Sequence, residues 1–172
     1  MDFLELAKQR KSVRGFSSKA VSDEIIGKIL EAAVQSPSGG NRQPWYFYVV
    51  KNPDIISQIH EKAYSAGWFA SAPVVFVVCL DADRSSSQYG ERGQTLYCIQ
   101  DTGASIQSML LCAKSLGVDT CWCGAFDESA VTEILSVPDH LRPVALIPSG
   151  YSEQDKAKPQ RRPMDEVVTI ID

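Results

Sequence analysis

The sequence predicts a mixed α/β fold, in which helices pack against a sheet of about four or five strands. Two segments indicate this most clearly. The segment Pro73 to Leu80 is continuously apolar and rich in β-branched residues, which is typical of a strand buried on both faces. The segment Thr95 to Leu116 repeats apolar residues every three or four positions, which is typical of a long helix. The chain has 172 residues, 44% of them hydrophobic, and is expected to form a single domain, 1–172, around one sizeable core.

The first half of the chain is predicted to hold three further helices and one strand. Ser22 is a suitable N-cap for the second helix because acids follow it, and acids are favoured in a first helical turn. That helix is expected to end before Pro37, since the residue before a proline avoids helical geometry. The other predicted elements are helices at Asp2 to Gln9 and Asp54 to about Ser65, and a strand at Trp45 to Val50.

The second half is predicted to hold shorter elements and a tail. Asp81 to Gly93 is polar and is predicted to be a mobile loop. Strands are expected at Val118 to Cys123 and Pro143 to Gly150, with a helix from the N-cap Asp127 to about Leu135 between them. The tail ends in the apolar stretch Glu166 to Ile171. This predicted strand needs a sheet edge, which belongs either to its own chain or to a partner.

Composition argues against several classes of protein. The net charge of −4 disfavours a protein that binds nucleic acid or a membrane surface. The longest apolar run is too short to span a bilayer, and the first residues lack the apolar region of a secretory signal. The five cysteines are an odd number and lie mostly in apolar patterns, as buried free thiols do. We therefore expect a cytoplasmic protein.

Two basic clusters stand out in this acidic chain. Arg10, Ser12 and Arg14 alternate in a segment that, if extended, turns all three side chains the same way. Two guanidinium groups and a hydroxyl suit a phosphate, although a solvated helix end explains the same residues. Arg161 and Arg162 form the second cluster, and they are surface charges unless the fold brings them to the first.

Two glycine-containing segments are candidates for contact with a ligand. The loop Pro37 to Gln43 has adjacent glycines and two amide side chains, which suit either a ligand loop or a plain helix–strand turn. Its glycines do not follow a strand, so they do not match a dinucleotide-binding fingerprint. Gly124 and Ala125 lie between a predicted strand and a capped helix, where backbone N–H groups are left to face a ligand.

Side chains for acid–base or metal chemistry are scarce. The chain has two histidines, far apart in sequence, and shows no arrangement typical of a nucleophilic triad. Cys121 and Cys123 have the wrong spacing for a zinc site and no second pair nearby. No metal site is predicted. Because few acidic and basic side chains are arranged in a catalytic pattern, we expect that any reaction this protein catalyses is carried out by a bound cofactor.

Six motifs, in order along nearly the whole chain, resemble the nitroreductase-like flavoprotein family. They are RKSVRGF (Arg10 to Phe16), SPSGGNRQPW (Ser36 to Trp45), DTGASIQSMLLCAKSLGVDTCW (Asp101 to Trp122), CGAF (Cys123 to Phe126), IPSGY (Ile147 to Tyr151) and KPQRRPMDEVV (Lys158 to Val168). The resemblance implies an α+β fold with a mixed central sheet and one FMN-binding domain. It also implies a homodimer with FMN at the subunit interface, in which the C-terminal strand extends onto the partner.

The resemblance also implies roles for particular residues. Arg10, Ser12 and Arg14 would hold the phosphate and ribityl end of FMN, joined by Arg161 or Arg162. Lys11 stands where the family often has arginine, and it keeps the charge but loses the bidentate fork. The other implied contacts are made by Pro37, Ser38 and Gly39 on the partner's flavin, with Asn41 nearby, and by Gly124 and Ala125 along the ring, where a backbone N–H would donate to flavin N5.

The implied activity is that of an NAD(P)H oxidoreductase. A hydride passes from the nicotinamide to the flavin and then to a nitroaromatic, a quinone or a similar electron-poor molecule, without a catalytic side chain. Three alternatives stay open. The first two keep the flavin: a protein for flavin storage or fragmentation, and a reductive dehalogenase. The third is a flavin-free interaction module built on the same fold.

Overall fold

A computed structural model describes residues 2–152, 154 and 157–171. In the described part of the chain, six helices and four strands follow one another, with short 3₁₀ and π-helical turns between them. The helices are α1 (Phe3–Gln9), α2 (Asp23–Val34), α3 (Pro53–Lys62), α4 (Ala82–Arg92), α5 (Cys98–Ser115) and α6 (Glu128–Leu135). The strands are β1 (Trp45–Val50), β2 (Val74–Asp81), β3 (Asp119–Thr120) and β4 (Leu141–Gly150).

The four strands form one sheet in the order β1-β2-β4-β3. Each neighbouring pair is antiparallel, with Phe47 opposite Val78 and Phe76 opposite Ile147. The prediction of an α+β fold with four or five strands is confirmed. The sheet is antiparallel rather than mixed, although an isolated parallel bridge joins Ser12 to Thr120 at its edge.

Strand β2 separates two hydrophobic clusters because its side chains alternate between the two faces of the sheet. Val74, Phe76 and Val78 pack with residues of α2 and α5 on one face. Val75, Val77 and Cys79 pack with residues of α3 and α6 on the other. From Val74 to Leu80 no residue is more than 4% exposed, so the predicted burial on both faces is confirmed.

Helix starts follow the capping residues that the sequence indicates. Ser22 Oγ accepts a hydrogen bond from the Ile25 amide at the start of α2, and Asp127 Oδ1 accepts one from the Ala130 amide at the start of α6. Gly117 ends α5 with φ +76°, a left-handed value that suits glycine. None of the helices in the described ranges is long and apolar enough to cross a bilayer.

The structure corrects two sequence predictions, and a third stays a prediction for the sheet edge of a partner. The segment predicted as a mobile loop, Asp81 to Gly93, is mostly the helix α4, and the Asp81 side chain caps it by accepting from the Arg84 amide. The strand predicted at Val118 to Cys123 is reduced to Asp119–Thr120. The predicted tail strand is absent from the single chain, where Met164–Glu166 forms a 3₁₀ turn and 167–171 is exposed and unpaired with the sheet.

Candidate functional site

The first basic cluster is fixed to the edge of the sheet. Val13 is buried, and its amide donates to the Thr120 carbonyl at 2.9 Å. Ser12 bridges Thr120 in parallel orientation. Ser12 and Arg14, on either side of Val13, are exposed. The segment after α1 therefore lies along the sheet edge through an isolated bridge and exposes the polar side chains of Ser12 and Arg14.

The two basic clusters meet at one cavity of about 230 Å³. The sequence-predicted residues Arg10, Lys11, Ser12 and Arg14 line it together with residues of the C-terminal tail. Five cationic side chains surround the cavity, namely Arg10, Lys11, Arg14, Lys158 and Arg161, and no carboxylate lines it among the described residues. A cavity with this lining is suited to a phosphate group.

Lys158 is a lining residue that the sequence prediction missed. Its Nζ donates to the Ala7 and Lys8 carbonyls at 3.0 and 2.9 Å, at the C-terminal end of α1. These helix-end carbonyls lack helical partners, and a lysine satisfies them. The lysine therefore joins the tail to the segment that carries Arg10. A lysine three residues before Arg161 is the sequence signal that could have pointed to it.

The two tail arginines have different surroundings. Arg161 lines the cavity. Arg162 turns to its own tail, where Nε donates to the Glu166 carboxylate at 3.2 Å and Nη2 donates to the Glu166 carbonyl at 3.1 Å. The sequence left open which arginine joins the first cluster, and the structure places Arg161 there.

Burial and mutual repulsion lower the pKa values of two cations that line the cavity. The pKa of Arg10 lies below its ordinary value, first because the side chain is partly desolvated and second because Arg161 is close. The pKa of Lys158 is also lowered, by desolvation and then by Arg10 and Arg161. A dianionic group in this cavity would relieve that repulsion, so the residues present fit the phosphate of FMN.

The glycine loop is held rigidly against α5 and α4. The Gly39 amide donates to both carboxylate oxygens of Asp101 at 3.1 Å, and the Gln43 amide donates to Ser38 Oγ at 2.9 Å. Gly40 has φ +55°, and a Cβ at this position would lie 2.6 Å from the Tyr89 hydroxyl. Asp101 is thus a positioning residue, and its place at the start of the third motif gives it no role from sequence alone.

This loop and the cationic cavity are separate in the single chain. Pro37, Ser38, Gly39 and Asn41 do not line the cavity described above. The Asn41 side chain accepts a hydrogen bond from Gln43 Nε2 at 3.2 Å, so the two amides are partly used within the loop. The fold therefore brings together the two basic clusters but not the basic clusters and the glycine loop.

Gly124 and Ala125 lie where the chain leaves the sheet. Cys123 makes the last pairing, since its amide and carbonyl both bond Leu146 at 2.9 Å. Beyond it, Gly124 and Ala125 are exposed, and their amides donate to no backbone carbonyl of another described residue. A Cβ on Gly124 would meet open space. These two N–H groups are therefore accessible to a ligand.

The cysteine pair lies beside the cationic segment. Cys121 and Cys123 are buried and bond to the same strand through Pro148 and Leu146. The pKa of Cys121 is lowered because the Cys123 thiol donates to it, with a smaller contribution from Arg14, and the pKa of Cys123 is raised by the same hydrogen bond and by burial. Within the described ranges, no group of His, Cys, Asp and Glu is arranged to hold a metal ion.

Known proteins resemble this chain in both sequence and fold. The sequence model described as "Nitroreductase family" matches residues 7–67 and 58–151. A protein of Methanothermobacter thermautotrophicus, provisionally named NADH dehydrogenase/NAD(P)H nitroreductase, is 32% identical over 90% of this chain and 80% of its own length. Iodotyrosine deiodinase 1 of Mus musculus is 24% identical over 99% of this chain and 70% of its own length.

Among solved structures, a nitroreductase family protein from Clostridium difficile 630 superimposes with a TM-score of 0.85 at 32% identity. The superposition covers 98% of each chain. Sequence and fold comparisons thus agree over nearly the whole length. The chain belongs to the nitroreductase family.

Proposed function

We propose that this chain is an FMN-dependent oxidoreductase that uses NADH or NADPH to reduce an electron-poor small molecule such as a nitroaromatic or a quinone. The observation that carries the proposal is the convergence of two basic clusters, far apart in sequence, on one cavity. Family membership and the oxidoreductase names of relatives agree with it.

In this proposal the cavity holds the phosphate of FMN. Arg10, Arg14, Lys158 and Arg161 supply charge, Lys11 supplies a further cation without a bidentate fork, and Ser12 supplies a hydroxyl. Binding at micromolar to nanomolar affinity requires about 8 to 12 kcal/mol. Charge-assisted hydrogen bonds of about 1.5 to 3 kcal/mol each, from several of these groups, account for a large part of that free energy.

The chemistry that FMN supplies when bound is the reversible uptake of a hydride. The protein's part is to bind and orient. The accessible amides of Gly124 and Ala125 are the donors we assign to flavin N5, with no catalytic side chain required. Pro37, Ser38 and Gly39, with Asn41 beside them, would contact the flavin that is held by a second copy.

Two observations support a homodimer with FMN at the interface. The glycine loop does not line its own chain's cavity, which agrees with a loop that contacts the flavin held by a second copy. Large apolar side chains are exposed on α1 and the tail, with Phe3 67% and Ile171 92% accessible. Apolar surface of this kind is typical of an interaction face, and the apolar tail would pack on the partner.

The test is a visible absorption spectrum of the purified protein before and after anaerobic addition of NADH or NADPH. We expect a flavin spectrum that one or both nucleotides bleach, and recovery of the spectrum when a nitroarene or quinone is added. A flavin spectrum that neither nucleotide bleaches would favour storage of the cofactor. A protein that stays colourless after incubation with FMN would contradict the proposal and favour an interaction module.

Reductive dehalogenation is a second candidate, favoured by the match to a protein named iodotyrosine deiodinase over 99% of this chain. The two activities are separated by supplying the reduced protein with a halophenol and with a nitroarene of similar size. Halide release at a rate matching nucleotide oxidation would identify the dehalogenase. Oxidation with the nitroarene alone would identify the reductase.

A further inference from the structure

The C-terminal tail, which we define as residues 157–171, touches the rest of the protein at the cationic cavity. Two hydrogen bonds from Lys158 join it to the carbonyls that end α1. Lys158 and Arg161 also line the cavity opposite Arg10 and Arg14. Every residue from 159 to 171 is exposed. Little apolar burial therefore holds the tail in place, and its position depends on polar contacts around the cavity.

The charges at this contact oppose docking of the tail. Burial is the first cause that lowers the pKa values of Arg10 and Lys158, and the second is repulsion, by Arg161 on Arg10 and by both arginines on Lys158. Cations of the tail and of the body therefore repel one another. Bringing like charges together costs free energy and so opposes the two hydrogen bonds that hold the tail. An anion bound between the tail and the body replaces this repulsion with attraction, because it attracts the cations of both.

We propose that the anion bound in this cavity is the latch of the tail, so that the cofactor's phosphate fixes residues 157–161 on the body. This rests on the proposed function in two respects, namely that the anion is the phosphate of FMN and that the protein forms a homodimer. Residues 157–161 continue directly into the exposed apolar stretch that contains Met164, Val168 and Ile170. Fixing the first part of the tail orients this stretch to pack on the second copy of the proposed homodimer. Cofactor binding and self-association are then coupled, and each strengthens the other by the same factor.

Comparing FMN with riboflavin distinguishes the effect of the phosphate from that of the flavin ring, because the two ligands share the ring and differ in the phosphate. The experiment measures backbone amide exchange of residues 157–171 in the flavin-stripped protein, alone and with saturating riboflavin, FMN or inorganic phosphate. We expect FMN to slow exchange in the tail at least tenfold more than riboflavin does, and phosphate alone to slow it as well. Sedimentation of the same samples should show a dimer that is at least tenfold tighter with FMN than with riboflavin.

Two variants, one in the tail and one control on α3, test whether the tail's contact at the cavity is needed for this protection. Arg161→Gln removes a tail cation from the cavity but keeps the Lys158 hydrogen bonds to α1, and at saturating FMN its tail should exchange faster than the tail of the parent. Lys62→Met changes an exposed lysine at the end of α3 and should behave as the parent does. Equal protection by FMN and riboflavin, or full protection that survives Arg161→Gln at saturating FMN, would overturn the latch. Equal dimer affinity with the two flavins would overturn the coupling to self-association.

The outcomes also separate this inference from the proposed function. If FMN binds, as followed by its fluorescence, and the tail exchange is unchanged, the latch is wrong and the proposed function stands. If FMN does not bind, the proposed function is wrong, and the inorganic phosphate sample alone decides whether an anion holds the tail.

Discussion

Neighbouring arginines in the tail provide a matched pair of substitutions. Arg161 lines the cationic cavity, whereas Arg162 donates to Glu166 in its own tail. Arg161→Gln removes a charge from the cavity, and Arg162→Gln removes the same charge one residue away. If the cavity binds the cofactor's phosphate, the first substitution weakens FMN binding and the second leaves it nearly unchanged.

The magnitude follows from the kind of contact. A charge-assisted hydrogen bond contributes about 1.5 to 3 kcal/mol, and about 1.4 kcal/mol corresponds to a tenfold change in affinity. Arg161 is exposed, so solvent screens its charge and the lower part of that range applies. We therefore expect Arg161→Gln to raise the dissociation constant of FMN by about 10- to 30-fold, and Arg162→Gln to raise it less than about threefold.

Fluorescence quenching of FMN, titrated with flavin-stripped protein, measures both constants. The difference between the variants should shrink in high salt, because mobile ions screen exposed charges. Equal affinities for the two variants, or a larger loss for Arg162→Gln, would refute the assignment of the cavity to phosphate.

Two further predictions concern the body of the protein. Gly150→Ala should lower the free energy of unfolding by about 1 to 3 kcal/mol in urea titrations, because the new Cβ would lie 2.6 Å from Pro73 Cδ. Gly27 lies at an exposed position inside α2 with open space around it, so Gly27→Ala should raise the free energy of unfolding by about 1 kcal/mol. If both substitutions changed the free energy of unfolding in the same direction, the packing argument would be refuted. The Cys121 thiol should ionise at lower pH than an ordinary cysteine, as followed by thiolate absorbance in the ultraviolet. Cys123→Ala, which removes the donor, should move that titration to higher pH, whereas an unchanged curve would contradict the hydrogen bond between the two thiols.

Most of the helices and strands could be predicted because their sequence signals are local. Alternating apolar residues and a buried β-branched run identify the strands, and Ser22 and Asp127 identify two helix starts by their own hydrogen bonds. Helix α4 could not be predicted in this way. Its eleven residues are almost all polar, so they show no apolar stripe, and the helix depends on the Asp81 cap and on packing against its neighbours.

The candidate site could be predicted in part. Arg10, Ser12 and Arg14 were identified from their spacing, but only the fold shows that the tail reaches them. The choice of Arg161 over Arg162, and the contact from Lys158 to α1, depend on how a loop of low apolar content folds back. Sequence patterns do not encode such long-range polar contacts. The tail strand stays a prediction for the proposed dimer, since a strand needs an edge that the single chain does not give it.

The most direct test of the account is the affinity of the flavin-stripped protein for FMN compared with riboflavin. The two ligands differ only in the phosphate, which we assign to the cavity between Arg10, Arg14, Lys158 and Arg161. With several charge-assisted contacts, we predict that FMN binds at least about 100-fold more tightly than riboflavin. Equal affinities would show that the converging cations do not bind the cofactor's phosphate and would contradict the central claim.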